Sequence, residues 1–264
     1  MSDTAAELES ETGTPEQESE SGKMSFLEHL DELRKRLVHV AGYLAIGFVV
    51  SIFFSKRIYD FLSAPLIQAL PPEQQKLVFT SITQPFTTYM KVAFLSAIFL
   101  TIPLTLYEVW KFIAPGLYRK EKKYIVPFLF CSVILFLLGA TFCYVYVLPT
   151  CFKVLIELGS SWTPMITIAE FLDTTNMMLL GFGLTFEMPV IAAFLAIFGL
   201  ITAKFLWKKF SYALVGIVIL AAILSPTGDA FSLLLWSAPM VVLYLLSIVV
   251  VAILGWRRKA KGLA

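Results

Sequence analysis

Six runs of fifteen to twenty-eight predominantly apolar residues divide this chain, and such runs leave a backbone few places to go. They cover 38–54, 86–107, 124–148, 174–201, Phe210–Leu224 and 231–256. A helix crossing a bilayer needs about 20 apolar residues at ~1.5 Å each. Hydrocarbon offers peptide groups no hydrogen-bond partner, so only helices and closed barrels span it, and barrel strands would alternate in polarity. These runs do not alternate. The expected fold is therefore all-α, a polytopic membrane protein with six transmembrane helices. The fifth run has fifteen residues and reaches about 22 Å against a hydrocarbon core of ~30 Å, which predicts local thinning of the bilayer. With 58% hydrophobic and 15% charged residues, the composition also lies outside the soluble globular class.

Basic residues orient the spans. With the amino terminus in the cytoplasm, sixteen Lys and Arg fall on inside segments and five (Lys56, Arg57, Lys76, Lys91 and Lys153) fall outside. Both termini are thus expected to be cytoplasmic. The net charge of +2 conceals a contrast: residues 1–22 hold seven acids and no base, leaving +9 on residues 23–264. The segment 1–22 is Glu-, Ser- and Thr-rich and is expected to be a disordered acidic tail rather than a secretory signal or transit peptide. Residues 23–256 form the membrane domain, and 257–264 a basic cytoplasmic tail. The outside loops 55–85 and 149–173 carry Pro65, Pro71, Pro72, Pro149 and Pro164, so short helices and turns forming an external cap are expected there. Ser225-Pro226-Thr227-Gly228-Asp229 reads as a tight turn joining the last two helices.

No phosphate-binding loop, zinc-protease motif or nucleophile elbow occurs, and no internal repeat is visible. The chain reads as a non-enzyme without cofactor, metal or nucleic-acid partner. Cys131, Cys143 and Cys151 form no CxxC pair, and the first two read as small core residues. His29 and His39, ten residues apart, read as interfacial.

The polar features stand out against this background. Ser25-Phe26-Leu27-Glu28-His29-Leu30-Asp31-Glu32-Leu33-Arg34-Lys35-Arg36 precedes the first span. Phe26, Leu30, Leu33 and Leu37 recur at helical spacing, and Ser25 with Glu28 makes a capping box. The pattern predicts an amphipathic helix lying flat at headgroup level, serving as a surface anchor or as a recognition segment. Glu187 is fourteenth in the run 174–201, which places it near the bilayer midplane, where an uncompensated acid costs roughly 3 kcal/mol. Pro189 frees the carbonyl of Thr185 in the same helix, giving a structural partner for Glu187; the functional alternative is contact with a partner helix or with moving cargo. Glu121 is an acid among Arg119, Lys120, Lys122 and Lys123, and on charge pattern alone it is a self-neutralised surface group.

These residues together carry a resemblance. Phe26-x-x-His29-Leu30-x-Glu32-Leu33-Arg34-x-Arg36, Ser63-Ala64-Pro65-Leu66, Tyr107-x-Val109-Trp110-x-Phe112-Ile113-Ala114-Pro115-x-Leu117-Tyr118, Phe186-Glu187-x-Pro189-Val190 and the turn from Pro226 to Asp229 resemble TatC, in order over about residues 24–256. TatC is the multispanning receptor subunit of the twin-arginine protein translocase. The resemblance implies a bacterial inner-membrane protein with a concave groove, recognising twin-arginine signal peptides of folded precursors for export driven by the proton-motive force. It implies single-span partners of the TatA and TatB types, and self-association in the receptor complex. By position it implies signal-peptide binding at Glu32, Glu121, Arg34 and Phe112, and partner-subunit contact at Glu187. Pro65 and Asp229 match functional loop positions, although the last turn reads Pro-Thr-Gly-Asp where some members have Pro-Pro-Asp. From the residues themselves, a proton-coupled small-molecule transporter using Glu187 as relay and a membrane scaffold without a recognition site remain the alternatives.

Overall fold

A computed structural model describes residues 26–72, 75–113, 125–225 and 230–260. Its elements in order are α1 (Phe26–Ile52), α2 (Ser55–Ala69), α3 (Gln84–Ile113), α4 (Ile125–Phe142), a π-helical turn (Cys143–Val147), α5 (Leu148–Leu158), α6 (Ile168–Thr185), α7 (Met188–Ile197), α8 (Ala203–Lys208), α9 (Phe210–Leu224) and α10 (Ala230–Ala260). Among the described residues five helical stretches are long and apolar enough to cross a membrane: Glu28–Ile52, Gln84–Ile113, Val126–Leu158, Ile168–Ile197 and Ser232–Trp256. The sixth, Phe210–Leu224, is shorter and has the bounds its apolar run predicts.

Three expectations are corrected by the helix boundaries. The amphipathic cassette is not a separate helix lying flat, because α1 runs unbroken from Phe26 to Ile52 and its charged turns continue the axis of the span. The third span does not end near 148 but continues to Leu158. Pro149 lacks an N–H and crowds the carbonyl of Val145, and the π turn at Cys143–Val147 absorbs that misfit without ending the helix. The fourth span starts earlier, at Ile168, where the Thr167 hydroxyl caps the Glu170 N–H at 3.3 Å, and it breaks at Phe186–Glu187 ahead of Pro189. Thr185 and Pro189 therefore lie on different helices.

Helices in lipid gain little from hiding apolar side chains, so close backbone approach and dispersion must hold them together. Small residues provide that approach. A Cβ on Gly47 of α1 would meet Thr101 Cγ2 of α3 at 2.8 Å, and one on Gly183 of α6 would meet the Phe136 ring of α4 at 2.8 Å. At Gly139 of α4 the obstacle is the Phe182 backbone carbonyl at 2.6 Å, with Phe186 Cγ at 2.8 Å. Gly139→Ala is accordingly expected to force α4 off α6 and destabilise the protein by about 1–3 kcal/mol, read as a lower thermal midpoint in detergent. An unchanged midpoint would show that the helix pair yields freely. Around these contacts Trp236, Phe136, Phe182, Leu172, Met178 and Leu148 are fully buried. Cys143 and Cys151 share that interior, whereas Cys131 is exposed on α4 and is no core residue.

The expected cap is built from α2, α5 and the adjoining loops. Val78 pairs with the strand-like segment before α6 through Val78 N–H to Ile166 O (3.1 Å) and Ile168 N–H to Val78 O (2.9 Å). Leu62 and Leu66 of α2 join Leu148, Cys151 and Phe152 in one buried cluster. Lys91 of α3 reaches Asp173 of α6 at 2.6 Å, an exposed pair worth at most about 1 kcal/mol.

Candidate functional site: a shared guanidinium and a broken helix

Alpha-helical phasing decides which cassette residues can look inward. Glu32 and Arg36 are one turn apart, and they face α3, against which α1 packs along much of its length. Arg36 Nη2 donates to Glu32 Oε1 at 2.9 Å, while Nη1 donates to Glu108 Oε2 on α3, also at 2.9 Å. One guanidinium thus serves two carboxylates on two helices. The Tyr43 hydroxyl adds a donor to Glu108 Oε1 at 3.3 Å, and His39 Nδ1 lies 3.9 Å from Oε2. The Glu108 side chain is 4% exposed and that of Glu32 15%. Such burial makes the cluster sensitive to its charge balance, because each ion has left water and relies on its partners.

Glu32 is consequently not a bare carboxylate awaiting a cation, as its place in the sequence suggests, but is held by the chain's own Arg36. One oxygen is left unspent: Glu32 Oε2 is buried and has no hydrogen-bond partner among the described residues, and the same is true of Arg36 Nε. Lys35 and Asp31 neutralise each other on the solvent face at 2.7 Å. Arg34 is exposed and makes no ion pair among the described residues. Phe112, near the end of α3, stacks on His29 with ring centroids 4.4 Å apart, which pins the first turn of α1 beside the cluster. Glu121 and Asp229 lie outside the described residues. Glu108 is the residue that sequence reasoning passed over. Its signal was an acid in the last two turns of a spanning helix, at a depth where α1 supplies Arg36.

The second polar locus is the break between α6 and α7. Glu187 bridges it, with its N–H on Leu184 O at 3.1 Å and its carbonyl receiving the Ile191 N–H at 2.9 Å. The side chain is buried at 7% exposure. It is hydrogen-bonded by the Ser132 hydroxyl of α4, and Ser132 in turn accepts from Trp110 Nε1 of α3 at 3.4 Å. Trp110 is wedged between Phe128 and Phe194, so three helices meet at this acid. Glu187 Oε1 has no partner. Counting from Ile168, Glu187 is twentieth of the thirty residues to Ile197, nearer the Trp110 end than the midplane position its apolar run implied.

Pro65 acts in the cap. Lacking an N–H, it leaves the Phe61 carbonyl four residues back without its helical donor. The Tyr144 hydroxyl fills that vacancy at 2.7 Å, and its ring stacks on Phe61 at 4.4 Å. Pro65 thereby creates the acceptor that ties α2 to the π turn. Among the described residues no group of three or more His, Cys, Asp or Glu could hold a metal ion.

Fold and site together define a multi-pass helical membrane protein whose polar groups are gathered at one end of the α1–α3 pair and at a broken helix. The profile of TatC, the Sec-independent protein translocase protein, matches residues 28–239, and the chain belongs to that family. It is 44% identical over 227 residues to the Sec-independent protein translocase protein TatC of Koribacter versatilis, covering 85% of this chain and 84% of the relative. The Escherichia coli K12 TatC is 36% identical over 217 residues, covering 82% and 83%. Among solved structures, a twin arginine translocase receptor TatC crystallised in DDM is 32% identical and superposes with a TM-score of 0.77, covering 85% of this chain and 99% of that one. A second crystal structure of that receptor gives a TM-score of 0.75.

Proposed function

We propose that this protein is the receptor subunit of a twin-arginine translocase in a bacterial inner membrane. With both termini cytoplasmic, the Arg36 cluster lies at the cytoplasmic surface and receives the signal peptides of folded precursors. The single observation that carries this reading is Glu32 Oε2, a carboxylate oxygen buried beside a guanidinium and left without a donor. Once Arg36 is released from Glu32 and rests on Glu108, both Glu32 oxygens are free and a visiting arginine can fork onto them, because a guanidinium stays charged and presents parallel N–H groups that match a carboxylate edge. Glu108 makes this compatible with the resident Arg36. Two acids share one base there, so Glu108 can keep Arg36 when Glu32 turns to a visitor. Glu121, following the Leu117-Tyr118 motif, is proposed to take the second arginine of the pair, with Arg34 and Phe112 flanking the site. The peptide's apolar stretch then runs toward Glu187, the position proposed for contact with the single-span TatA- and TatB-type subunits. Further copies of this chain complete the receptor complex, and the proton-motive force drives export. Asp229 is proposed as a functional position in the last external turn.

A photo-crosslinker at residue 121 tests this reading. It should capture a precursor carrying an intact arginine pair and lose most of that capture when both arginines become lysine, since a lysine offers a point charge without the fork. Equal capture of the two precursors would remove arginine recognition from this loop.

A further inference from the structure

A groove of about 1000 Å³ opens between α1, α2, α3 and α4, well away from the Arg36 cluster. Its walls are built from side chains such as Phe54, Phe61, Leu95, Phe99, Leu137 and Val145. Several hydroxyls lining it are already engaged: Ser96 donates to Val92 O at 2.8 Å, Thr141 to Leu137 O at 2.7 Å and Tyr144 to Phe61 O at 2.7 Å. Arg57 is the single charged residue among the described residues lining the groove, and it is exposed with no ion pair among them.

Depth selects the occupant. The wall from α4 into the π turn runs from Leu137 to Val145 and the α3 wall from Leu95 to Leu100, about 12 Å and 8 Å at the helical rise. One leaflet contributes about 15 Å of hydrocarbon, whereas a spanning partner helix needs the full ~30 Å. Arg57 stands in the first turn of α2, five residues beyond the end of α1, which is headgroup level on the cap side. We propose that the groove binds one anionic phospholipid of the cap-side leaflet, its acyl chains on the aromatic and aliphatic walls and its phosphate forked by the Arg57 guanidinium.

The test uses the full chain reconstituted in vesicles of equal phosphatidylglycerol and phosphatidylcholine. After extraction in mild detergent, retained lipid is identified by native mass spectrometry. The wild type should retain phosphatidylglycerol preferentially. Arg57→Gln should lower the ratio of the two retained lipids about fivefold, as expected for one cationic contact near the surface. Thr141→Trp places bulk in the groove from an exposed position and should reduce retention of both lipids. A wild type without headgroup preference, or an unchanged ratio in Arg57→Gln, would overturn the phosphate contact. Undiminished retention in Thr141→Trp, or a co-purifying polypeptide in place of lipid, would overturn the groove as the site.

Discussion

Replacing Arg36 by alanine is expected to destabilise the protein by roughly 3–5 kcal/mol. Arg36 is the cation held by both Glu32 and Glu108, each at 2.9 Å, and both carboxylates are largely removed from water. Without it, two buried negative charges face each other across the α1–α3 seam. The Tyr43 hydroxyl at 3.3 Å would remain as a neutral donor to Glu108. The loss should be partly reversed in the pair Arg36→Ala with Glu108→Gln, because an amide needs no counter-charge. Thermal unfolding in detergent measures both variants. Strict additivity of the two substitutions would mean that the cluster is not an energetic unit.

The second large effect concerns binding. Glu32→Ala together with Glu121→Ala should abolish capture of a twin-arginine peptide, a loss of roughly two orders of magnitude or more if each acid accepts a desolvated guanidinium. Neither residue lies in an apolar run, so insertion into the membrane should be intact, which separates a binding defect from a folding defect. Glu32→Ala also removes one of Arg36's two partners, and Arg36 then rests on Glu108 alone. That residual pairing is why a stable, peptide-blind protein is the expected outcome. Retained binding in a crosslinking assay would take both acids out of the recognition site.

Hydropathy made the spans legible because it reports what lipid demands, and Phe210–Leu224 shows this best: its ends coincide with the ends of its apolar run. Where helices leave the hydrocarbon, the demand stops and so does the signal. The continuation of the third span to Leu158 and the start of the fourth at Ile168 are set instead by cap packing and by the Thr167 cap. The break at Glu187 was half visible, since Pro189 announced a lost hydrogen bond but not that the helix would part there. Pairing between helices was not legible at all. Whether Glu32 stands alone or shares Arg36 with Glu108 depends on the register of α1 against α3, fixed by close approaches such as Gly47 on Thr101. The role of Pro65 was hidden for the same reason, because the donor that answers its missing N–H is Tyr144, 83 residues on from Phe61.

The most direct test is a distance between the visiting arginine and Glu32. In bilayers, dipolar recoupling between a guanidino-15N-labelled twin-arginine peptide and glutamate-carboxyl-13C-labelled protein should give a coupling at hydrogen-bonding range. Compared in a Glu121→Gln background, so that the acid proposed for the second arginine contributes nothing, that coupling should disappear in Glu32→Gln while the rest of the glutamate signal persists. A coupling that survives the substitution, or none in the wild type with peptide bound, would contradict the assignment of Glu32 as acceptor.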